Sequence, residues 1–222
     1  MKRITVILAS ILAVFCSINS VFAASDNKYY SEFVFKHKLN DKFDVFFTPE
    51  VRFKNDMGNG YYQQYRIGTT FHANKYLDLA GAYRFVEQKD TKSDWSNSDM
   101  QYIEFIAAPK IKLSGFNLSD ANKIEYRMLE NVRDRWVYRN LVTIAYPSKI
   151  GSFEFTPYVS NEIYYDFEID EMNLNWATVG ATKKINKNLT LGLYFRNEAS
   201  RVGSTSKWVT NYILGSNVTV DF

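Results

Sequence analysis

The sequence predicts an all-β chain: an antiparallel transmembrane β-barrel of about twelve strands, with ten to twelve as the range, forming one domain after a cleaved signal peptide. Three observations predict it. Apolar and polar residues alternate with a period of two over segments of ten to fifteen residues, long for ordinary strands but suited to a tilted strand crossing a bilayer. Beyond residue 23 no run approaches the roughly 18 consecutive apolar residues of a spanning helix, so any crossing is made by strands. Aromatic residues make up 17% of the chain, as an aromatic-girdled barrel requires.

The first element is a leader. Lys2 and Arg3 precede a mostly apolar run from Ile4 to Ile18, and Val21-Phe22-Ala23 supplies small residues for cleavage, the order of a secretory signal cut after Ala23. Ser10, Ser17, Asn19 and Ser20 leave an apolar core shorter than the roughly 20 residues of a membrane anchor. Residues 1–23 are therefore read as signal peptide and 24–222 as the barrel. Cys16, the single cysteine, leaves with the leader, and the bulky Phe15 before it does not suit a lipid-attachment site. The mature part then has no disulfide and no thiol chemistry. Without Lys2 and Arg3 the 27 basic residues become 25 against 24 acidic, a net charge of +1 that points to no nucleic-acid partner.

Eleven alternating segments follow: Tyr29 to Leu39, Lys42 to Phe53, Tyr61 to Ala73, Tyr76 to Gln88, Asp99 to Leu113, Ala121 to Glu130, Arg135 to Tyr146, Phe153 to Tyr165, Met172 to Ile185, Leu189 to Glu198 and Lys207 to Phe222. In the second, Phe43, Val45, Phe47, Val51 and Phe53 share one face, and Asp44, Thr48, Glu50 and Arg52 the other. The tenth sets Leu189, Leu191, Leu193 and Phe195 against Thr190, Gly192, Tyr194 and Arg196. Met172, Leu174 and Trp176 fall on the predicted lumen face, and Asn140, Asn161 and Asn175 on the lipid face, against the general rule.

Tight polar turns such as Asn40-Asp41, Ala73-Asn74-Lys75 and Asn186-Lys187-Asn188 alternate with longer connections such as 54–60 and 89–99, which places the tight turns in the periplasm and the longer loops outside. Bacterial barrels normally hold an even number of strands, so eleven segments imply a further one, for which residues 24–30 and 112–123 offer room. A soluble β-sandwich shows the same alternation with its apolar face inward. Segment length, loop asymmetry and the C-terminus favour the membrane. Tyr212, Leu214, Val218, Val220 and the terminal Phe222 share one face, a pattern similar to the signal by which the barrel assembly machinery receives its clients. The expected location is the outer membrane of a Gram-negative cell, with its lipids and lipopolysaccharide as surroundings.

The central segments "LSDANKIEYRMLENVRDRWVYRNLVTIAYP" and "FTPYVSNEIYYDF" resemble the DUF2490 family of uncharacterised outer-membrane proteins. The matching positions are Leu118, Ser119, Glu125, Arg127, Trp136, Arg139, Leu141, Tyr146, Pro147, Glu162, Tyr164 and Tyr165, and the closing "NYILGSNVTVDF" is similar to the family's ending. The chain departs from the pattern at Asn122 or Lys123, where the family often has arginine, at Val137 in place of the first arginine after Trp136, and at Trp176 on a lumen face whose residues are usually small. The resemblance implies an outer-membrane barrel and no assigned activity.

Counting up each strand from its short turn brings ten predicted inward residues to similar height: Glu50, Arg52, Arg66, Arg84, Glu104, Arg127, Arg139, Glu162, Arg196 and Glu198. Such a belt is either a salt-bridge network filling the lumen or a porin-like constriction selecting small polar or acidic solutes, its extra arginines favouring anions. Twelve strands exceed the roughly eight whose side chains fill the interior, which favours the constriction. Four inward aromatics, Tyr62, Tyr158, Tyr164 and Tyr194, pack the lumen or form a stacking track for a sugar. Tyr61, Tyr83, Trp136 and Tyr165 are placed outward, in an interfacial girdle.

No catalytic residue is assigned. A lipid-modifying hydrolase commonly needs a histidine base, and the two histidines, His37 and His72, fall beside predicted periplasmic turns. No His/Cys cluster suits a metal, no motif calls for a cofactor, and the acidic stretch Asp166, Glu168, Asp170 and Glu171 lacks the spacing of a calcium loop. The leading expectation is a passive channel or a barrel binding a small solute; the alternative is a closed structural or interaction barrel without transport.

Overall fold

The computed structural model describes residues 26–89, 99–130, 133–201 and 207–222; the leader read at 1–23 lies outside them. The alternating segments become β1 (Asn27–Lys38), β2 (Phe43–Lys54), β3 (Asn59–Asn74), β4 (Leu77–Gln88), β5 (Asp99–Leu113), β6 (Phe116–Leu129), β7 (Arg135–Ala145), β8 (Ser148–Ile150), β9 (Phe153–Asp166), β10 (Glu171–Lys184), β11 (Leu189–Arg201) and β12 (Trp208–Asp221). Each strand from β2 to β12 pairs antiparallel with its predecessor, except that β8 pairs only with β9 and β9 pairs with both β7 and β8. The short β8 continues the line of β7 beyond Tyr146 and Pro147, where proline lacks the amide that would carry the ladder on. The wall therefore has eleven staves, and β8 is the twelfth strand. No further strand lies at 112–123: Ser114 and Gly115, both at positive φ, turn β5 directly into β6.

An odd number of staves makes the first and last run the same way. The barrel closes accordingly by a parallel pair, β1 on β12, from Asn27↔Tyr212 to Lys36↔Asp221. This departs from the all-antiparallel closure expected from the sequence, and it follows from the stave count alone.

The two faces of the wall are inverted relative to a soluble protein. Large apolar side chains point outward and are exposed, among them Ile67, Phe105, Leu193 and Leu214, with Leu193 66% exposed. Charged side chains point inward and are buried, including Glu50, Arg84, Glu104, Glu125, Arg139, Glu162 and Glu198. A sandwich would bury its apolar faces against each other. Here the single sheet is curled shut with its polar face inside.

Three bulges reset the alternation locally. Between Arg52 and Phe53 the partner strand shifts from Tyr62 to Gly60, which turns Tyr61 inward; its hydroxyl lies 3.1 Å from that of the buried Tyr30. Tyr61 is thus a lumen residue, not part of the girdle expected from its parity. Tyr83, Trp136 and Tyr165 face outward, Trp136 against Tyr126 at 4.8 Å and Tyr165 against Phe167 at 5.2 Å. A second bulge, between Met172 and Leu174, sends Met172 outward, correcting its lumen placement, while Leu174 and Trp176 point in. The third lies between His72 and Asn74.

Inside the wall, glycines seat the aromatics. Tyr194 lies across Gly215 of the neighbouring strand, and a Cβ there would collide with its ring. Gly215→Val is therefore expected to destabilise the barrel by about 1–3 kcal/mol, the usual cost of overpacking, read as an earlier midpoint in urea unfolding from lipid vesicles.

Candidate functional site

All ten residues of the expected belt project into the lumen, because the antiparallel registers set inward positions of adjacent staves side by side. Their contacts form two connected halves. In the first, Glu125 is the hub: it accepts from Arg84 at 2.6 Å, Arg139 at 2.5 Å and Arg127 at 2.6 Å. Arg139 also holds Glu162 at 2.5 Å, Arg66 holds Glu104 at 2.8 Å, and Arg84 pairs with Glu104 as well. Lys123 stands 3.9 Å from both Glu104 and Glu125. Four adjacent inter-stave steps, from β4 to β9, are bridged by ion pairs, and Arg66–Glu104 reaches across β4 from β3 to β5.

In the second half Glu198 gathers Lys28 at 2.8 Å, the indole N–H of Trp176 at 2.9 Å and the amide of Asn211 at 3.1 Å. Arg52 pairs with Glu50 and is sandwiched among aromatic faces, 4.0 Å from the Tyr62 centroid, 4.6 Å from Tyr30 and 5.6 Å from Trp176. Since Arg52 is on β2 and Trp176 on β10, four staves apart, this contact crosses the lumen. Arg196 lies over Trp176 at 4.2 Å and over Tyr194 at 4.8 Å, and donates to Thr178 at 3.0 Å. Gln64 joins the halves, donating to Glu50 at 3.0 Å and accepting from Arg84 at 3.3 Å and the Tyr62 hydroxyl at 2.8 Å.

The ten expected residues thus omit several members of the belt. Glu125, its hub, sits two positions from Arg127 on the same strand face, a placement that the alternation already contained. Lys28 and Lys123 carried the same signal. Gln64 carries no charge, so a search for charge passes over it.

The four expected aromatics line the same lumen. Tyr62 and Tyr164 are buried, Tyr62 beneath Arg52 and Tyr164 beneath Arg139 at 4.3 Å and against Trp176 at 5.1 Å. Tyr158 lies against Gly180 as Tyr194 does against Gly215. One face of each of these two rings is covered by backbone, and the two buried rings are covered by guanidinium groups.

On the short-turn side of the belt is a cavity of about 320 Å³ bordered by Glu32, Lys36, Phe46, Thr48, Arg66 and Asp78. Below it, His72 bridges two carboxylates, Nδ1 to Asp78 at 2.8 Å and Nε2 to Asp44 at 2.9 Å, and Lys110 closes on Asp78 at 2.5 Å. With both ring nitrogens engaged by carboxylates, neither is placed to accept a proton from a hydroxyl nucleophile. At the opposite end, the acidic stretch is tied to cations and a phenol: Asp166 to Arg135 at 3.1 Å, Glu168 to Arg133 at 2.8 Å, Glu171 to Arg201 at 2.5 Å, and Asp170 to the Tyr165 hydroxyl. Among the described residues no group of three or more His, Cys, Asp or Glu is arranged to hold a metal ion.

The last strand turns Tyr212, Leu214, Val218, Val220 and Phe222 to the outer surface, Phe222 stacking on Phe35 at 6.4 Å. The profile of the family described as "Protein of unknown function (DUF2490)" matches residues 27–209, from β1 to the start of β12. The chain belongs to the DUF2490 family. Among solved structures, the DUF2490 barrel is similar in fold to LpxR from Salmonella typhimurium, with a TM-score of 0.51 and 11% sequence identity, covering 85% of this chain and 87% of that one. At that identity the likeness concerns the fold alone. No curated protein matches the sequence.

Proposed function

We propose that this DUF2490 protein is an outer-membrane barrel closed at mid-height by its Arg/Glu belt, which binds small polar or acidic solutes in the vestibule beneath the belt instead of letting them diffuse through. The observation that carries the reading is the burial of Glu104 and Glu125, both 0% exposed in the middle of a lumen and both ion-paired. A water-filled constriction keeps its charged ring hydrated so that ions exchange with it; carboxylates without solvent contact belong to a filled network. The membrane setting rests on the exposed apolar outer wall, a surface far larger than the few hundred Å² that a water-soluble monomer tolerates. Lipid and lipopolysaccharide surround that wall in this reading, and the outward face of β12 is what the assembly machinery receives.

The vestibule suits a small oxygen-rich anion. Lys36 makes no ion pair among the described residues, Arg66 lines the same cavity, and Thr48 supplies a hydroxyl. Purified, refolded protein in planar bilayers is expected to give no steady conductance steps. Galacturonate, as the probe, is expected to be retained saturably in equilibrium dialysis by the folded protein and not by Lys36→Glu. Steady steps in the unmodified protein would return the belt to the role of a constriction, and equal retention by Lys36→Glu would remove the vestibule as the binding place.

A further inference from the structure

The outer wall of β6 and β7 carries a carboxylate among its polar groups, whereas the outward Asn161 on β9 and Asn175 on β10 bond to each other at 3.2 Å. Asp120 and Asn122 on β6 and Asn140 on β7 face outward, between the outward apolar residues Leu118 and Ile144 toward the short turns and Ile124, Tyr126 and Trp136 toward the long loops. Asn140 Nδ2 donates to Asp120 Oδ1 at 2.5 Å and to Asn122 Oδ1 at 3.2 Å, and the Tyr138 hydroxyl donates to Asn122 Oδ1 at 2.6 Å. The second oxygen of Asp120 has no partner among the described residues. No other carboxylate among them faces outward away from a strand end.

A bilayer cannot satisfy these groups. Acyl chains offer no donor to a carboxylate, and polar side chains at this depth face another protein surface or water. The cluster contains both donors and acceptors, so it is complementary to itself: both Asn140 N–H groups are used within the copy, but Asn122 Nδ2 gives only one hydrogen, to the Asp120 carbonyl at 3.2 Å, and under a two-fold axis it can donate the other to the open Asp120 oxygen of the second copy. Beside it runs an outward groove of about 600 Å³, lined by Tyr76, Pro109, Ile111, Leu118, Val142 and Ile144. It forms where Pro109 leaves the β5–β6 ladder without a bond. Its apolar rim supplies the close packing that holds membrane-embedded protein surfaces together.

We infer that a second copy of this chain docks on the β6–β7 wall, with the Asp120–Asn122–Asn140 cluster at the centre of a two-fold interface in the membrane. The inference rests on the membrane reading above, and the test separates the two. The mature part has no cysteine of its own, so Val142→Cys places a single thiol beside the cluster, and Phe33→Cys on β1 places one on a different wall. After oxidation in intact cells, Val142→Cys is expected to give a disulfide-linked species of twice the monomer mass and Phe33→Cys none. Adding Asp120→Leu, Asn122→Leu and Asn140→Leu to Val142→Cys is expected to reduce that species to the Phe33→Cys level, with shifted mobility of unheated samples showing that the barrel still folds. Equal cross-linking at both sites, a link only to a different protein, or full cross-linking in the leucine variant would overturn the interface. A protein recovered in the membrane fraction but not cross-linked refutes the interface alone; one recovered in the soluble fraction refutes the membrane reading.

Discussion

Replacing Glu125 by alanine is expected to lower the stability of the folded barrel by about 3–5 kcal/mol, the range for breaking a buried ion pair from one side. Glu125 has no exposed surface and is the acceptor for three arginines. Without it, Arg84 and Arg139, whose side chains are 7% and 9% exposed, keep one carboxylate each, Glu104 and Glu162, for charge that three carboxylates had shared. The cost arises from two guanidinium groups left under-compensated away from water, not from the lost bonds themselves. Arg127→Ala removes a partner that is 21% exposed and reaches solvent, so about 1 kcal/mol or less is expected there. Glu125→Gln keeps the shape and an acceptor oxygen while removing the charge, and should fall between the two. Urea unfolding from lipid vesicles, followed by the fluorescence of the belt tryptophan Trp176 and its companions, measures all three. An alanine variant within about 1 kcal/mol of the unmodified protein would mean that the network is not what closes and holds the lumen.

The contrast between Glu125 and Gln64 shows how far the sequence reaches. Period-two alternation located all eleven staves, because inward and outward positions differ in polarity in nearly every one. That odd count already implied a parallel closure, but the even strand number usual in bacterial barrels argued for a twelfth stave that the wall does not have. Bulges, by contrast, are silent in the sequence: Tyr61 has the parity of an outward residue, and only the extra residue opposite Arg52 turns it in. The charges of the belt were visible as inward charges at similar height, but their pairing was not, since the stagger between staves decides which guanidinium meets which carboxylate. Trp176 looked misplaced on a lumen face. It fits once its indole N–H has Glu198 to bond and its ring has Arg52 and Arg196 to cover. Whether the lumen is filled is set by these contacts, so alternation alone left filling and constriction both open.

Phe105→Arg should prevent stable insertion, at a cost of about 2–4 kcal/mol for the charge at the bilayer midplane. Phe105 lies near the middle of β5, points outward beside Ile103, and is 59% exposed. In a water-soluble barrel the same exchange would put a charge on an already exposed position, a change that is usually neutral within about 0.5 kcal/mol and favours solubility. The sign of the effect therefore depends on the solvent that the outer wall meets, not on the packing of the lumen, which this side chain does not touch. The variant is expected to lose the folded, faster-migrating band of unheated samples and to accumulate outside the membrane fraction. Phe105→Leu, which keeps the wall apolar, should retain both. If the arginine variant folded in the membrane as well as the leucine variant, the apolar wall would have to face something other than hydrocarbon at that height. The polar cluster on β6 and β7 shows that this wall is not uniform: Ile124 on β6 lies directly opposite Phe105 in the sheet and only one outward position beyond Asn122. A mild arginine effect at Phe105 together with a strong one at Leu193, on the far side of the barrel, would extend the proposed protein interface across β5, whereas equal effects at both would confine it to β6 and β7.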